Sequence, residues 1–104
     1  MKVSVLDTRV VKFIEELDKP SHAKVSYCFD LLEEFGNEVG PPHSKKVSKD
    51  LYELRITGKI AVRLLYVFRG DEAIIVHGFI KKTEKIPKRE LEIALRKLQS
   101  LHKR

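Results

Sequence analysis

The sequence predicts an α+β fold in the order β-αα-βββ-α: a small, twisted, mainly antiparallel sheet with an N-terminal helical hairpin and a C-terminal helix. Three observations lead there. Apolar residues recur at helical spacing from Val10 to Phe35 and again from Leu91 to Leu101. The period changes to two between Leu51 and Ile80, and clusters rich in Gly, Pro and polar residues separate these stretches. With 104 residues, 42 % of them apolar and 35 % charged, the chain has the size of one domain (residues 1–104) with a core beneath a highly charged surface.

Lys2 to Leu6 alternate and are β-branched, which predicts a first strand. Asp7 and Thr8 offer an N-cap to a short helix whose Val10, Phe13, Ile14 and Leu17 share one face. Pro20 suits the first turn of a second helix. Its stripe of Val25, Cys28, Phe29, Leu32 and Phe35 ends at Gly36, read as an αL cap, so the two helices form an antiparallel hairpin. Asn37 to Ser48 has no period and is expected to be a loop leading into basic residues.

Beyond it, Tyr52, Leu54 and Ile56 share one strand face, and Ile60, Val62, Leu64, Tyr66 and Phe68 share the next. Placing both sets on one core requires a connection of odd length. A three-residue loop, Thr57-Gly58-Lys59, satisfies this and sets Glu53 opposite Arg63. The other face then carries Glu53, Arg55, Ala61, Arg63, Leu65, Val67 and Arg69, a half-dry cationic surface. Gly70-Asp71 turns the chain into a third long strand, Ala73 to Ile80, whose facing stays open because two- and three-residue loops give opposite answers; His77 points either way. Pro87 opens a closing helix with Leu91, Ala94, Leu95, Leu98 and Leu101 on one side and Lys and Arg on the other.

No apolar run approaches the roughly 18 residues of a membrane span, and the first residues lack a signal-peptide pattern, so a cytoplasmic protein is expected. Cys28 is the only cysteine and the four histidines lack ligand spacing; neither a disulfide, a metal nor a cofactor is expected. Charge is uneven. Residues 1–42 hold five Lys and Arg against eight Asp and Glu (net −3), whereas residues 43–104 hold sixteen against seven (net +9). Such a basic half suits a polyanion, most simply nucleic acid, or else serves only solubility.

The stretches LYELR (Leu51 to Arg55), VRLLY (Val62 to Tyr66) and HGFIKKTEKIP (His77 to Pro87) resemble the RelE/HigB superfamily of bacterial and phage toxins, in particular its phage-related HigB branch. The resemblance extends over essentially the whole chain, with strand, helical hairpin, basic loop and sheet in the family's order. It implies the toxin of a type II toxin–antitoxin system, an endoribonuclease that cuts translated mRNA on the ribosome. It also implies a cognate antitoxin that covers the active surface in a hetero-oligomer. The alternatives are a ParE-like toxin on the same fold, which binds DNA gyrase without cutting, and a nucleic-acid-binding module without catalysis.

RNA is cut without a metal when its 2′-hydroxyl attacks the adjacent phosphorus, which needs a proton acceptor, cations on the phosphate and a proton donor to the 5′ oxygen. Glu53 is the candidate acceptor, or else one half of a cross-strand ion pair with Arg63. Arg63 and Arg55 are candidates to hold phosphate through paired N–H donors, with Arg63 favoured by the resemblance. One of Lys81 and Lys82 should reach the substrate while the other points away, and the resemblance matches Lys82 to a catalytic basic residue. His77 is a secondary candidate acid, or a packed histidine. Lys45, Lys46 and Lys49 should meet RNA phosphates as mobile point charges, while Tyr52 and Tyr66 fall on the core side. Several relatives carry an aromatic residue or histidine near the start of the final helix; here Pro87 and Lys88 stand there, which leaves the general acid open.

Overall fold

The computed structural model describes residues 1–102. Its elements are β1 (Lys2–Val5), α1 (Thr8–Glu15), α2 (Lys19–Phe35), a 3-10 turn (Gly36–Glu38), β2 (Ser44–Lys46), β3 (Tyr52–Ile56), β4 (Val62–Arg69), β5 (Glu72–Ile80) and α3 (Lys88–His102). One five-stranded sheet has the order β1-β5-β4-β3-β2, antiparallel throughout except for the parallel β1–β5 pair. The expected α+β architecture is present, with one strand more than the sequence suggested. Residues 44–46, read as part of a loop, pair as β2 with β3 because Ser44 is buried and its hydroxyl is 2.6 Å from the Tyr66 hydroxyl, which fixes the edge.

Local chemistry explains the helix ends. The Asp7 carboxylate accepts from the Val10 amide at 3.0 Å and caps α1. Pro20 lies in the first turn of α2, where its missing N–H is harmless. At the other end Gly36 takes φ +56° with ψ −129°, so it stops α2 in a backbone region open to glycine and outside the expected αL well.

Helices cover both sheet faces. Val10, Ile14, Val25, Cys28 and Leu32 from α1 and α2 pack on Leu54, Ile56, Val62, Leu64, Tyr66 and Ile75. Phe35, expected in that stripe, is exposed. On the other face Ala94, Leu98 and Leu101 of α3 pack on Leu51, Leu65, Val67, Ile74, Val76 and Phe79, with Leu95 turned outward. This second core corrects the half-dry cationic face: Leu65 and Val67 are buried under α3, and the charged residues keep only the end of the sheet beyond it.

The β3–β4 register is also corrected. Five residues, Thr57 to Ala61, join the last paired residues Ile56 and Val62, so Arg55 lies opposite Arg63 and Glu53 lies opposite Leu65. Both loop lengths are odd, so every side chain keeps its predicted face while the strands slide by two residues. Ile60 leaves the strand yet packs half-buried on the first core, and Lys24 of α2 donates to the Thr57 carbonyl. The open question of β5 has a structural answer. Leu65 pairs with His77 but Tyr66 with Ile75, so Val76 is an extra residue at a bulge and the alternation changes phase there. Ala73 and Ile75 face α1 and α2; Val76, His77 and Phe79 face the α3 side.

Candidate functional site

The end of the sheet that α3 leaves uncovered is a cleft of about 330 Å³, lined by Lys45, Lys46, Val47, Glu53, Arg55, Lys81, Glu84, Lys85, Ile86 and Leu91. Register builds it. Lys45, Glu53, Leu65 and His77 form one row across four strands, and Arg55, Arg63 and Phe79 form the next. The Lys81 amide donates to the Ala61 carbonyl at 2.7 Å and continues the β4–β5 ladder by one step, so Lys81 follows His77 and Phe79 onto the same face. Lys82 therefore points away and is exposed. Of the two lysines it is the neighbour of the one favoured by the resemblance that lines the cleft.

At the floor lies a buried charge triad. Glu53 is 2 % exposed; Arg55 donates through Nε to its Oε1 at 2.9 Å, and Arg63 Nε stands 3.8 Å from its Oε2. The last two atoms have no hydrogen-bond partner, so the Glu53–Arg63 contact is a slack ion pair. Arg63 is 8 % exposed and donates from Nη1 to its neighbour's carbonyl, Val62, at 3.0 Å. Burial pushes its pKa down from the ordinary guanidinium value, Glu53 draws it back up and Arg55 pushes it down again. Arg55 alone of the three keeps a substantially solvent-facing side chain, 31 % exposed.

The structure thus brings together Glu53, Arg55, Lys45, Lys46 and Lys81 around the cleft, with Arg63 beneath it. It adds Lys85 and Glu84, which the sequence reading passed over. Both sit in the loop before α3, where Thr83 Oγ1 donates to the Lys85 carbonyl at 2.8 Å, and no periodicity marks loop residues. Five cations against two carboxylates give the cleft a positive field. His77 stands apart. Leu65 separates it from Glu53, its Nε2 is 3.2 Å from Glu90 Oε1 on α3, and its ring stacks on Phe79 at 5.9 Å. Lys49 lies in a different pocket at the other end of β3. Tyr52 and Tyr66 stack on each other on the core side, as their spacing predicts. Among the described residues no cluster of His, Cys, Asp or Glu is placed to hold a metal ion, and no helix is long and apolar enough to cross a membrane.

Residues 12–99 match the model of a family described as phage-derived protein Gp49-like (DUF891). Solved structures with a similar fold include the YoeB–YefM complex from Staphylococcus aureus (TM-score 0.57, 16 % identity, covering 80 % of this chain and 97 % of that one). A heterotetrameric YoeB–YefM toxin–antitoxin complex from the same organism (0.57, 17 %) and its YoeB dimer (0.58, 17 %) match over the same shares. At that identity the likeness establishes the α+β fold. No curated protein sequence matches the chain.

Proposed function

The chain belongs to the phage-derived Gp49-like family, and from that premise we propose that it is the toxin of a type II toxin–antitoxin pair, an endoribonuclease that cuts mRNA on the ribosome. The observation that carries the reading is the cleft itself, in which a carboxylate and a guanidinium held on rigid strands lie beneath four lysines. The family's phage origin agrees with the phage-related HigB branch that the motifs resemble, and the fold shared with YoeB supports an antitoxin as partner.

In the proposed reaction Arg55, Lys45 and Lys81 receive the phosphodiester. Arg55 exchanges Glu53 for phosphate, which leaves Oε1 free to take the proton of the 2′-hydroxyl. The 2′ oxygen then bonds to phosphorus, the bond from phosphorus to the 5′ oxygen breaks, and the departing 5′ alkoxide takes a proton from solvent water, giving a 2′,3′-cyclic phosphate and a 5′-hydroxyl. Arg63 acts through Glu53 by holding it in position as Arg55 leaves. Lys81 stabilises charge on the departing oxygen, whereas Lys82 points away from the cleft and His77 is held by Glu90 beyond Leu65. The burial of Glu53 favours one alternative, a protein that binds through this face without cutting, as a gyrase-directed toxin does.

The test maps 5′ ends across cellular mRNA shortly after induction of the wild type and of Arg55→Ala, both with confirmed folding. New 5′-hydroxyl ends within translated regions, reduced about a hundredfold in the variant, are expected. Growth arrest without such ends would overturn the ribonuclease and leave the non-cutting binder.

A further inference from the structure

We propose that a second pocket, where β4 ends and α3 ends, is a nucleotide subsite for the same single-stranded RNA, several nucleotides from the reacting phosphodiester. The inference rests on the RNA reading above and extends it to a part of the molecule remote from the candidate catalytic residues. The pocket has about 200 Å³ and is more enclosed than the basic cleft. Its walls differ in chemistry. Lys49 and Arg69 stand on one side, with no carboxylate within 4 Å of either among the described residues. Half-buried Tyr52 and Phe68, packed edge to face at 5.1 Å, and the α3 residues Leu98 and Leu101 form the apolar side.

An anion-binding rim beside an aromatic and aliphatic wall matches a nucleotide, whose phosphate is charged and whose base is flat and apolar on both faces. Orientation follows from the helix. His102 and the C-terminal end of α3 border the pocket, and the negative end of a helix repels phosphate. The phosphate therefore belongs at Lys49 and Arg69, and the base lies against Leu98 and Leu101 of α3. Asp50, also in the wall, offers a carboxylate that accepts from a base amino group.

The two sites are joined. Lys46 lines the basic cleft while its ammonium lies 5.9 Å from the centre of the Tyr52 ring, which lines the second pocket. A backbone leaving Arg55 along the β2 edge thus meets Lys45, then Lys46, then Lys49. Arg69 lies six residues along β4 from Arg63, the partner of Arg55, so the track is about 20 Å long at roughly 3.3 Å per residue.

The test compares binding of fluorescein-labelled, 2′-O-methylated RNA, which cannot be cut, as a trinucleotide and as a nonanucleotide. The wild type is expected to bind the longer strand at least tenfold more tightly. Lys49→Ser with Arg69→Ser, both at exposed positions, should remove about tenfold from the nonanucleotide affinity, leave the trinucleotide unchanged and lower the salt slope by about 1.4 for two lost phosphate contacts. Arg55→Ala should weaken both strands. If the double variant binds the longer strand like the wild type while Arg55→Ala weakens it, the second subsite is refuted and the RNA reading stands. If the wild type binds neither strand, the subsite is refuted, while the RNA reading, which places cleavage on the ribosome, is decided by the mapping of 5′ ends. A measurement without variants guards against misfolding: 4-thiouridine near one end of the nonanucleotide should crosslink to the peptide holding Tyr52 or Phe68, and crosslinks confined to the basic cleft overturn the proposal.

Discussion

Replacing Glu53 by Gln should cost this protein a large part of its stability before any chemistry is considered. Arg55 and Arg63 face each other directly across β3 and β4, and among the described residues the only carboxylate paired with either is Glu53. Two like charges on directly opposite strand residues, taken at a separation of about 6 Å and an effective dielectric of about 20, repel by roughly 3 kcal/mol. The Gln amide still accepts a hydrogen bond from Arg55 but neutralises neither charge. Removing one partner from a buried pair costs about 3–5 kcal/mol, and because Arg55 is partly exposed the lower figure, about 3 kcal/mol, applies here. Against a typical total of about 5–15 kcal/mol this lowers Tm by roughly 12 °C or more. Urea unfolding followed by circular dichroism measures it. Adding Arg63→Met to Glu53→Gln should restore about half of the loss, because it removes the repulsion and fills the same space with apolar atoms. A loss below about 1 kcal/mol for Glu53→Gln, or a double variant in which the two losses simply add, would refute the reasoning. Activity of any Glu53 variant must accordingly be compared at equal folded fraction.

Three further outcomes are expected. Gly78→Ala places a Cβ 2.6 and 2.8 Å from the Phe13 ring and 2.9 Å from Leu64, so α1 must shift and about 1–3 kcal/mol is lost; an unchanged urea midpoint would show that the ring gives way freely. Tyr66→Phe leaves the buried Ser44 hydroxyl unpaired, costing about 1–3 kcal/mol and speeding amide exchange in β2, whereas Ser44→Ala with Tyr66→Phe costs less than the sum; equal additivity would count against the bond. Burial tends to raise the Asp7 pKa, but the Lys97 ammonium at 2.9 Å and the Val10 and Arg9 amides outweigh it and hold the carboxyl below its usual 3.8. Its contribution is full above that value and disappears as pH falls through the lower folded one. The gap between wild type and Asp7→Ala, about 1 kcal/mol near neutrality, should therefore close in acid, and a gap that persists there would exclude the carboxylate as its source.

Which features were legible in the sequence follows from how locally each is determined. The cap at Asp7, the first turn at Pro20 and the facing of Leu54, Ile56, Val62 and Leu64 depend on neighbours a few residues away, and all are as expected. Loop parity placed Glu53, Arg55 and Arg63 on one face, and a five-residue connection keeps that parity as well as a three-residue one does, so the grouping survived an incorrect register. Depth was not legible. Whether those charges lie in water or in the interior depends on where α3 crosses the sheet, and its stripe of Leu91, Ala94, Leu98 and Leu101 specifies an apolar partner without saying which strand end stays open. One local sign pointed there: Ala73 to Val76 are four apolar residues in succession, the pattern of a strand buried on both faces, which required a second helical layer over Leu65 and Val67. The bulge at Val76 carries no marker residue, so the facing of His77 had no local determinant. Lys85 and Arg69 belong to the same class as His77. They acquire a place in a cleft or pocket only when distant segments close around them, and the chemistry inferred for both sites therefore depends on the tertiary arrangement more than on any motif.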